Sequence, residues 1–235
     1  MKKTSFKVLC ARIALTLALM CFASCGKDEN SGDNGLTINV TDAQTVYNPQ
    51  SSSGESEMSK IPEGAHPQVL FTMENGGTFT IELYPEYAPQ TCENFLNLVN
   101  SGFYSGKTFH RVIDNFMAQG GMPDENDNRT YNNIYGEFSS NGFSQNTLKH
   151  TRGVVSMARA TSPNSASTQF FICYSDAGCA HLDGDYAAFG RVVDGMKTVD
   201  AFLDVERTMD ANGSLSAPVT PIVIASAKQI ENAND

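Results

Sequence analysis

The sequence is short of positive charge, of long apolar runs and of metal-binding motifs. Its 235 residues include 16 lysines and arginines against 26 aspartates and glutamates, which gives a net charge of −10 at pH 7. A chain this acidic, without a basic patch, is repelled by nucleic acid and by anionic lipid headgroups. The composition therefore argues against nucleic acid as a partner and against charge-driven binding to a membrane surface.

The histidines and cysteines do not follow the spacings of known metal sites. The chain has no CxxC pair. Residues 124–128 alternate side chains with oxygen ligands, but they lack the central glycine and the terminal glutamate of an EF-hand loop. We therefore expect neither a metal nor any other cofactor.

The main apolar run lies near the N-terminus, at residues 13–23, and follows Lys2 and Lys3. It is too short to span a bilayer, so residues 1–24 are typical of a secretory signal peptide. The run ends in small residues before Cys25. This arrangement resembles the lipobox of bacterial lipoproteins, in which the signal is removed and the cysteine is lipidated. The alternative is an ordinary signal peptide followed by an incidental cysteine.

Lipidation of Cys25 would anchor the mature chain, since each buried CH₂ contributes about 0.8 kcal/mol. We expect the protein in the cell envelope, attached by lipid to the bacterial outer membrane. Residues 26–29 resemble the signal that sends some lipoproteins to the cell surface, although a charged linker has the same composition. Both orientations, the cell surface and the periplasmic face, stay open.

Residues 25–66 are polar and rich in serine, asparagine, glycine and acidic side chains. Such a stretch buries too little apolar area to offset its conformational entropy, so it predicts a flexible tether. About forty flexible residues hold a domain roughly 35 Å from the membrane. A short strand at 36–40 is the one element that the pattern there favours. The patterned region covers 67–231, a domain of ordinary size, and 232–235 form a tail.

Three cysteines lie beyond Cys25, at positions 92, 173 and 179. A disulfide between Cys173 and Cys179 would fit an oxidising compartment. Cys173 lies in an apolar run, however, where a buried thiol is the more ordinary outcome. Sequence spacing does not settle the geometry of a bridge. Both states therefore stay open, and reduced thiols are favoured.

Strand-like alternation begins at residue 69. Residues 69–73 and 78–83 are two apolar runs joined by a link that contains Asn75-Gly76. This link predicts a β-hairpin whose two central residues both have positive φ. The second run alternates apolar and polar side chains, which predicts a strand with one buried face.

Two helices are predicted. The first begins near Pro89 with one apolar stripe and ends at Gly102, and the second covers 196–204. The other apolar runs are short and are separated by Gly, Asn and Ser clusters; they are 108–113, 116–119, 154–158, 169–173, 187–193 and 219–227. Many short strands and only two helices indicate a mainly β fold, a closed antiparallel barrel with helical caps.

Two runs, 109–121 and 156–172, combine one arginine with aromatic, methionine and glutamine side chains. Neither run contains an obvious nucleophile or general base. Arg111 keeps its proton at any ordinary pH, and its apolar neighbours offer only surface. Such a site can bind a peptide and redistribute its charge, but it has no group that could cut the chain. This chemistry suits rotation about a bond.

Residues 67–231 resemble the cyclophilins, a family of peptidyl-prolyl cis–trans isomerases. The matching blocks are FHRVIDNFMAQGG (109–121), GEFSSNGF (136–143), LKHTRGVVSMARA (148–160), PNSASTQFFI (163–172) and HLDGDYAAFG (181–190). The resemblance implies an eight-stranded antiparallel barrel closed by two helices, with peptide binding on one outer face. It also implies a monomer that acts on proline-containing polypeptides.

Carried over residue by residue, the resemblance implies catalytic roles for Arg111, Phe116 and Gln119. The residues that it implies in substrate binding are His110, Met117, Ala158, Arg159, Gln169, Phe171, His181, Leu182 and Tyr186. In this assignment Phe116, Met117, Phe171 and Leu182 form the proline pocket. Its polar walls are Gln119 and Gln169. Ala158 and Arg159 contribute the backbone that binds an extended peptide.

The sequence departs from the family pattern in two places. His181 and Tyr186 stand where many animal cyclophilins have Trp and His, as in bacterial relatives. The loss of the indole donor argues against tight binding of cyclosporin. Residues 122–133 are polar and acidic where the family has a glycine-rich loop beside the groove. We expect this loop to alter which residues flank the substrate proline.

The function predicted from these residues is faster rotation about X–Pro bonds in exported proteins, which assists their folding. A ninety-degree twist breaks the amide resonance and leaves a lone pair on the proline nitrogen. The fixed guanidinium of Arg111 would stabilise that state more than either planar isomer. Two alternatives stay open. One is a binding module that captures a proline-bearing loop with incidental turnover, and the other is a surface protein recruited for adhesion.

Overall fold

The structure is a computed structural model that describes residues 60–210 and 213–231. The chain divides into two units, Met1–Ser51 and Ser52–Asp235, and every described residue belongs to the second. The predicted signal peptide, Cys25, the strand at 36–40, nearly all of the tether and the tail therefore lie outside the described residues. Within the described part of the chain, no helix is long and apolar enough to cross a membrane.

The described residues form ten strands. They are β1 (Gln68–Met73), β2 (Thr78–Leu83), β3 (Thr108–Ile113), β4 (Met117–Gly120), β5 (Val154–Met157), β6 (Phe170–Cys173), β7 (Ala188–Asp194), β8 (Arg207–Met209), β9 (Leu215–Pro218) and β10 (Ile222–Ile230). Eight of them close into an antiparallel barrel in the order β1-β10-β3-β4-β6-β5-β7-β2. The predicted eight-stranded closed barrel is confirmed.

The strands β8 and β9 form a separate two-stranded hairpin that the sequence did not predict. The strands are three and four residues long, and most of their side chains are exposed or half-buried. Elements this short and this exposed do not produce the alternating burial on which strand prediction depends. In contrast, each barrel strand begins and ends within three residues of its predicted bounds.

The turn between β1 and β2 differs from the prediction. Gly76 has a φ of 83°, but Asn75 does not have a positive φ. The N–H of Gly76 donates to the carbonyl of Met73 at 2.9 Å, and the N–H of Met73 donates to the carbonyl of Gly77 at 2.8 Å. The connection is therefore a three-residue loop, which needs only one left-handed residue. The prediction of two positive φ angles is wrong.

The helix α1 (Pro89–Asn100) begins at its proline as predicted and turns its apolar stripe towards the barrel. No side chain of its own N-cap satisfies the first backbone N–H groups. The buried carboxylate of Glu137 does so instead. It accepts hydrogen bonds from the N–H of Gln90 at 3.0 Å, and from the N–H and the hydroxyl of Thr91 at 2.8 and 2.7 Å. A distant loop therefore caps the helix.

The other helices are short. The helix α2 (Asp176–Cys179) is a single turn that was not predicted, because one turn is too short to show a helical period. The helix α3 (Met196–Asp200) covers the first part of the second predicted helix, and Ala201–Asp204 tighten into a 3₁₀ turn. Tightening of the last turn is common where a helix ends. The described residues thus contain three α-helices where two were expected.

Aromatic rings fill the interior of the barrel. The fully buried rings include Phe71, Phe79, Phe95, Tyr104, Phe109, Phe170 and Phe189. The rings of Phe71 and Phe79 stack with centroids 4.9 Å apart, and Phe95 meets the ring of Phe170 edge-on at 5.4 Å. Since side chains occupy the inside of a small barrel, a peptide must bind on its outer surface.

The three cysteines of the described domain are buried and free. The thiol of Cys92 donates to the carbonyl of Phe189 at 3.4 Å, and that of Cys179 donates to the carbonyl of Phe116 at 3.0 Å. A hydrogen bond to Cys179, together with burial, raises the pKa of Cys173. The structure therefore has the reduced thiols that the sequence favoured.

Candidate active site

A β-bulge in β3 turns Arg111 to the outer face of the barrel. Phe109 pairs with Gly120 and Arg111 pairs with Gln119, so His110 is an extra residue without an opposite partner in β4. In a regular strand Arg111 would face the interior together with Phe109, which is fully buried. The bulge reverses this direction, as bulges beside active sites commonly do. One-third of the Arg111 side chain is exposed as a result.

Nine side chains line a hollow of about 130 Å³ on this outer face. They come from β3, the turn after it, β4 and β6, from the segment after β5 and from the segment before β7. They are Arg111, Phe116, Met117, Gln119, Ala158, Arg159, Phe171, Leu182 and Tyr186. All nine were predicted as site residues. An apolar cavity of about 150 Å³ holds a benzene molecule, so this hollow is large enough for one five-membered ring.

The floor of the hollow is apolar. Met117, Phe171 and Leu182 are almost completely buried and form one cluster, against which the half-buried Phe116 packs. The ring of Tyr186 meets that of Phe171 edge-on, with centroids 5.9 Å apart. These side chains offer a ring-shaped ligand only van der Waals contact, and they keep the local dielectric low.

The guanidinium of Arg111 lies at the rim of this floor. Its central carbon is 6.0 Å from the centroid of the Phe116 ring. Its Nη1 donates to Oε1 of Gln119 at 3.4 Å, and Nε2 of Gln119 donates to Oε1 of Gln169 at 2.9 Å. On another edge, Nε lies 3.8 Å from Oδ2 of Asp210. The site therefore combines an apolar floor with a cation held at its rim.

A buried polar chain supports the floor from behind. The ring of His150 stacks on Phe171 with centroids 6.1 Å apart. Its Nδ1 lies 3.0 Å from Oδ1 of Asp183, and its Nε2 lies 3.0 Å from Oγ of Ser156. Burial lowers the pKa of His150. Burial alone would raise the pKa of Asp183, but hydrogen bonds from His150 and Lys149 hold it below its usual range.

Ser156, His150 and Asp183 are linked in the order of a Ser-His-Asp triad, but they cannot act as one. Ser156 is completely buried, and His150 is 1% exposed. A triad serine must reach the carbonyl that it attacks. These three hydrogen-bonded residues therefore fix the position of Phe171, and they supply no nucleophile to the hollow.

A second hollow of about 300 Å³ adjoins the first and shares Gln119, Ala158 and Arg159 with it. Gln169 belongs to this hollow, and so do three residues that the sequence analysis missed, Ala160, Ser165 and Ser167. The serines have a sequence signal, because Ser165, Ser167 and Gln169 are spaced by two residues and so share one face of an extended segment. The structure agrees, since these three are half-buried and alternate with fully buried residues along 165–170.

Two predicted residues, His110 and His181, line neither hollow. His110 is half-buried in the bulge, where burial lowers its pKa and its Nδ1 has no hydrogen-bond partner among the described residues. His181 is exposed, and its ring lies 5.5 Å from that of Phe116. The structure thus brings ten of the twelve predicted residues to the two hollows, and it places these two histidines beside them.

The loop at 122–133 lines neither hollow. Its Asp124 pairs with the buried ammonium of Lys107. The cations of Lys107 and Arg129 lie over the ring of Phe103, at 5.2 and 5.5 Å from its centroid. These contacts hold the loop against Phe103. In the described part of the chain, no three His, Cys, Asp or Glu side chains gather as a metal site requires.

Known proteins resemble this chain over the whole barrel. The family described as "Cyclophilin type peptidyl-prolyl cis-trans isomerase/CLD" matches residues 68–229. Over 162 residues the chain is 41% identical to peptidyl-prolyl cis-trans isomerase cyp18 of Streptomyces antibioticus, which covers 66% of this chain and 93% of that protein. The chain belongs to the cyclophilin family. It is a peptidyl-prolyl cis–trans isomerase of the cyclophilin type.

Other relatives agree with this identification. The cyclophilin is 40% identical over 165 residues to a peptidyl-prolyl cis-trans isomerase of Acinetobacter baylyi, which covers 68% of this chain and 84% of the relative. A crystal structure of a Cryptosporidium parvum cyclophilin matches with a TM-score of 0.55 and 30% identity, over 72% of this chain and 99% of the other. A second C. parvum structure, determined in the presence of the dipeptide Ala-Pro, has a TM-score of 0.54 and 31% identity over 70% and 99%.

Proposed function

We propose that this cyclophilin accelerates rotation about X–Pro bonds in exported proteins. In this proposal the proline ring occupies the 130 Å³ hollow, and the guanidinium of Arg111 acts on the imide nitrogen. The observation that carries the proposal is the cation held at the rim of an apolar hollow that has the size of one ring. The exported clients are inferred from the leader and from Cys25, which lie outside the described residues.

The chemistry follows from amide resonance. An X–Pro bond rotates over a barrier of about 18–20 kcal/mol, because the nitrogen lone pair is delocalised into the carbonyl. At a twist of ninety degrees that lone pair returns to the nitrogen. A cation held near this nitrogen stabilises the twisted state more than either planar isomer, and only such a difference accelerates the step. A difference of about 5–7 kcal/mol would accelerate rotation by four to five powers of ten.

The peptide backbone would run along the edge of the segment after β5. The N–H of Ala158 already donates a hydrogen bond to the carbonyl of Gln169 at 2.9 Å, so it is not available to a peptide. Because bonding directions alternate along an extended chain, the N–H and carbonyl of Arg159 are the groups that we assign to the peptide. The side chain of Arg159 donates to the carbonyls of Asp185 and Ala160, at 3.0 Å each. It therefore shapes a wall and does not act as a second catalytic cation.

The substrate class has support from a relative. The C. parvum cyclophilin, 31% identical, was crystallised in the presence of Ala-Pro. A dipeptide that ends in proline is therefore a suitable first ligand for this hollow. Longer clients would extend into the adjoining hollow of 300 Å³, whose serine and glutamine side chains can hydrogen-bond a peptide.

The test is cis–trans exchange in a short Ala-Pro peptide, with kcat and KM measured separately. We expect wild-type acceleration and a loss of about 10²–10³ in kcat for Arg111→Ala, the usual effect of removing one preorganised donor. Arg129→Ala is the matched control, because it removes an arginine from the loop at 122–133. Retention of full activity by Arg111→Ala would contradict the mechanism. Peptide binding by the wild type without any acceleration would favour a binding module.

A further inference from the structure

The hairpin of β8 and β9 is tied to the strand that carries Arg111. At the start of the hairpin, the guanidinium of Arg207 donates to the carbonyl of Val112 and to that of Leu203, at 3.3 Å each. Val112 is the neighbour of Arg111 in β3. These bonds set the position of the hairpin relative to Arg111, so a side chain near its tip can reach the guanidinium.

The side chain that reaches it is Asp210, and the hairpin holds its carboxylate rigidly. Oδ2 of Asp210 accepts a hydrogen bond from the hydroxyl of Ser216 at 2.7 Å, and Oδ1 accepts one from the N–H of Ser214 at 3.0 Å. The N–H of Asp210 donates in turn to the carbonyl of Ser214 at 2.8 Å. Ser216 is completely buried, and the Asp210 side chain is 16% exposed. The carboxylate is therefore a fixed anion.

This anion faces one edge of the Arg111 guanidinium, while Gln119 occupies another. Nε of Arg111 lies 3.8 Å from Oδ2 of Asp210, a charge contact, and Nη1 donates to Gln119 at 3.4 Å. Two supports, one at Nε and one at Nη1, restrict the orientation of the guanidinium plane. Asp210 lines neither hollow, so it reaches the reaction only through the arginine.

We propose that Asp210 is a positioning residue, which holds the guanidinium of Arg111 in the orientation that acts on the twisted imide. The proposal rests on the function proposed above. A donor stabilises a transition state best when it needs no reorganisation at the moment of reaction. The carboxylate of Asp210 also offsets part of the positive charge of Arg111. Considered by itself, the loss of this negative charge would favour catalysis. The two effects have opposite signs, and the loss of orientation is expected to dominate.

The experiment compares four forms of the full-length protein in the Ala-Pro exchange assay: wild type, Asp210→Asn, Asp210→Glu and Asp204→Asn. For Asp210→Asn we expect kcat to fall 5- to 20-fold, with KM within twofold of wild type. Asp210→Glu, which restores the charge, should recover to within threefold of the wild-type kcat. Asp204→Asn removes an exposed acid from the segment before β8 and should stay within 1.5-fold.

A second readout reports on the arginine itself. In ¹H–¹⁵N spectra, the Nε–H signal of Arg111, assigned by its loss in Arg111→Lys, should shift in Asp210→Asn and not in Asp204→Asn. If Asp210→Asn does not fold, Ser216→Ala takes its place. That variant leaves both charges and removes one of the hydrogen bonds that hold the carboxylate, and it should lower kcat two- to fivefold.

Three results would overturn the proposal. They are a kcat for Asp210→Asn within twofold of wild type or above it, an equal loss in Asp204→Asn, and a change confined to KM. If Asp210→Asn is unfolded, an unchanged kcat in Ser216→Ala overturns it in the same way. None of these results touches the proposed function, which depends on wild-type activity and on its loss in Arg111→Ala.

Discussion

Arg111 is a planar cation whose donors point in set directions, and its neighbours use that shape. Gln119 accepts from one edge of the plane, and the Phe116 ring lies 6.0 Å from its centre. Lysine keeps the charge but is a compact, rotatable point charge. We expect Arg111→Lys to lower kcat 10- to 100-fold and to change KM less than threefold in Ala-Pro exchange. A variant that kept more than half the wild-type kcat would show that charge alone suffices.

The buried His150 makes stability depend on pH. Its pKa is lowered in the folded state by burial, whereas in the unfolded chain it is near 6.5. As the pH falls below about 6.5, the unfolded state binds a proton that the folded state does not yet bind, so stability decreases. The decrease ends below the folded pKa. Urea unfolding at pH 7.5 and 5.5 should show a smaller loss in His150→Gln than in wild type. An equal loss would exclude His150 as a source.

At the residue scale, sequence reasoning located the hollow but not all of its supports. The residues of the 130 Å³ hollow lie in ordered blocks whose residue types match those of one family, so they could be assigned one by one. Asp210 could not be found in this way. Its partner lies 99 positions earlier in the chain, and no local pattern predicts which acid will face which arginine.

Among the elements, α1 depends on a cap from outside itself. The carboxylate of Glu137 accepts three hydrogen bonds at the start of the helix, although burial raises the pKa of this acid. Glu137→Gln keeps the volume but has only one acceptor oxygen, so its NH₂ group must face either the N–H of Gln90 or the donors of Thr91. Leaving such buried groups unpaired costs about 1–3 kcal/mol.

We therefore expect Glu137→Gln to lower the free energy of unfolding by about 1–3 kcal/mol, with kcat nearly unchanged. Chemical denaturation measures this directly. Glu125→Gln, at an exposed position in the loop at 122–133, is the control and should change stability by less than about 0.5 kcal/mol. Equal effects of the two substitutions would show that Glu137 does not cap the helix.

The elements found from the sequence are those long enough to show a period. The barrel strands alternate or form short apolar runs, and α1 has a stripe that repeats over three turns. The helix α2 and the strands β8 and β9 are only three or four residues long, so packing decides their conformation. The turn at Gly76 was assigned the wrong type because loop length, and not the Asn-Gly pair, determines it.

For the whole molecule, the proposed anchor depends on one atom outside the described residues, the sulfur of Cys25. We expect Cys25→Ser to move the protein from the membrane fraction to the soluble fraction of fractionated cells, because acyl chains supply the attachment. Cys21→Ser is the matched control, since this cysteine would leave with the leader. Membrane retention of Cys25→Ser would remove the lipoprotein proposal, and protease treatment of intact cells would then distinguish the two orientations.

The closed barrel separates two tasks between the two faces of the same strands. In β4, Ala118 is fully buried against the aromatic interior, while Met117 and Gln119 line the hollow outside. Substitutions at the outward-facing positions can therefore alter which polypeptides bind, while the aromatic rings that stabilise the domain stay in place. Because both hollows lie on the outer wall of the barrel, a long client bound there as proposed would be held in mid-chain and released sideways, without threading either of its ends.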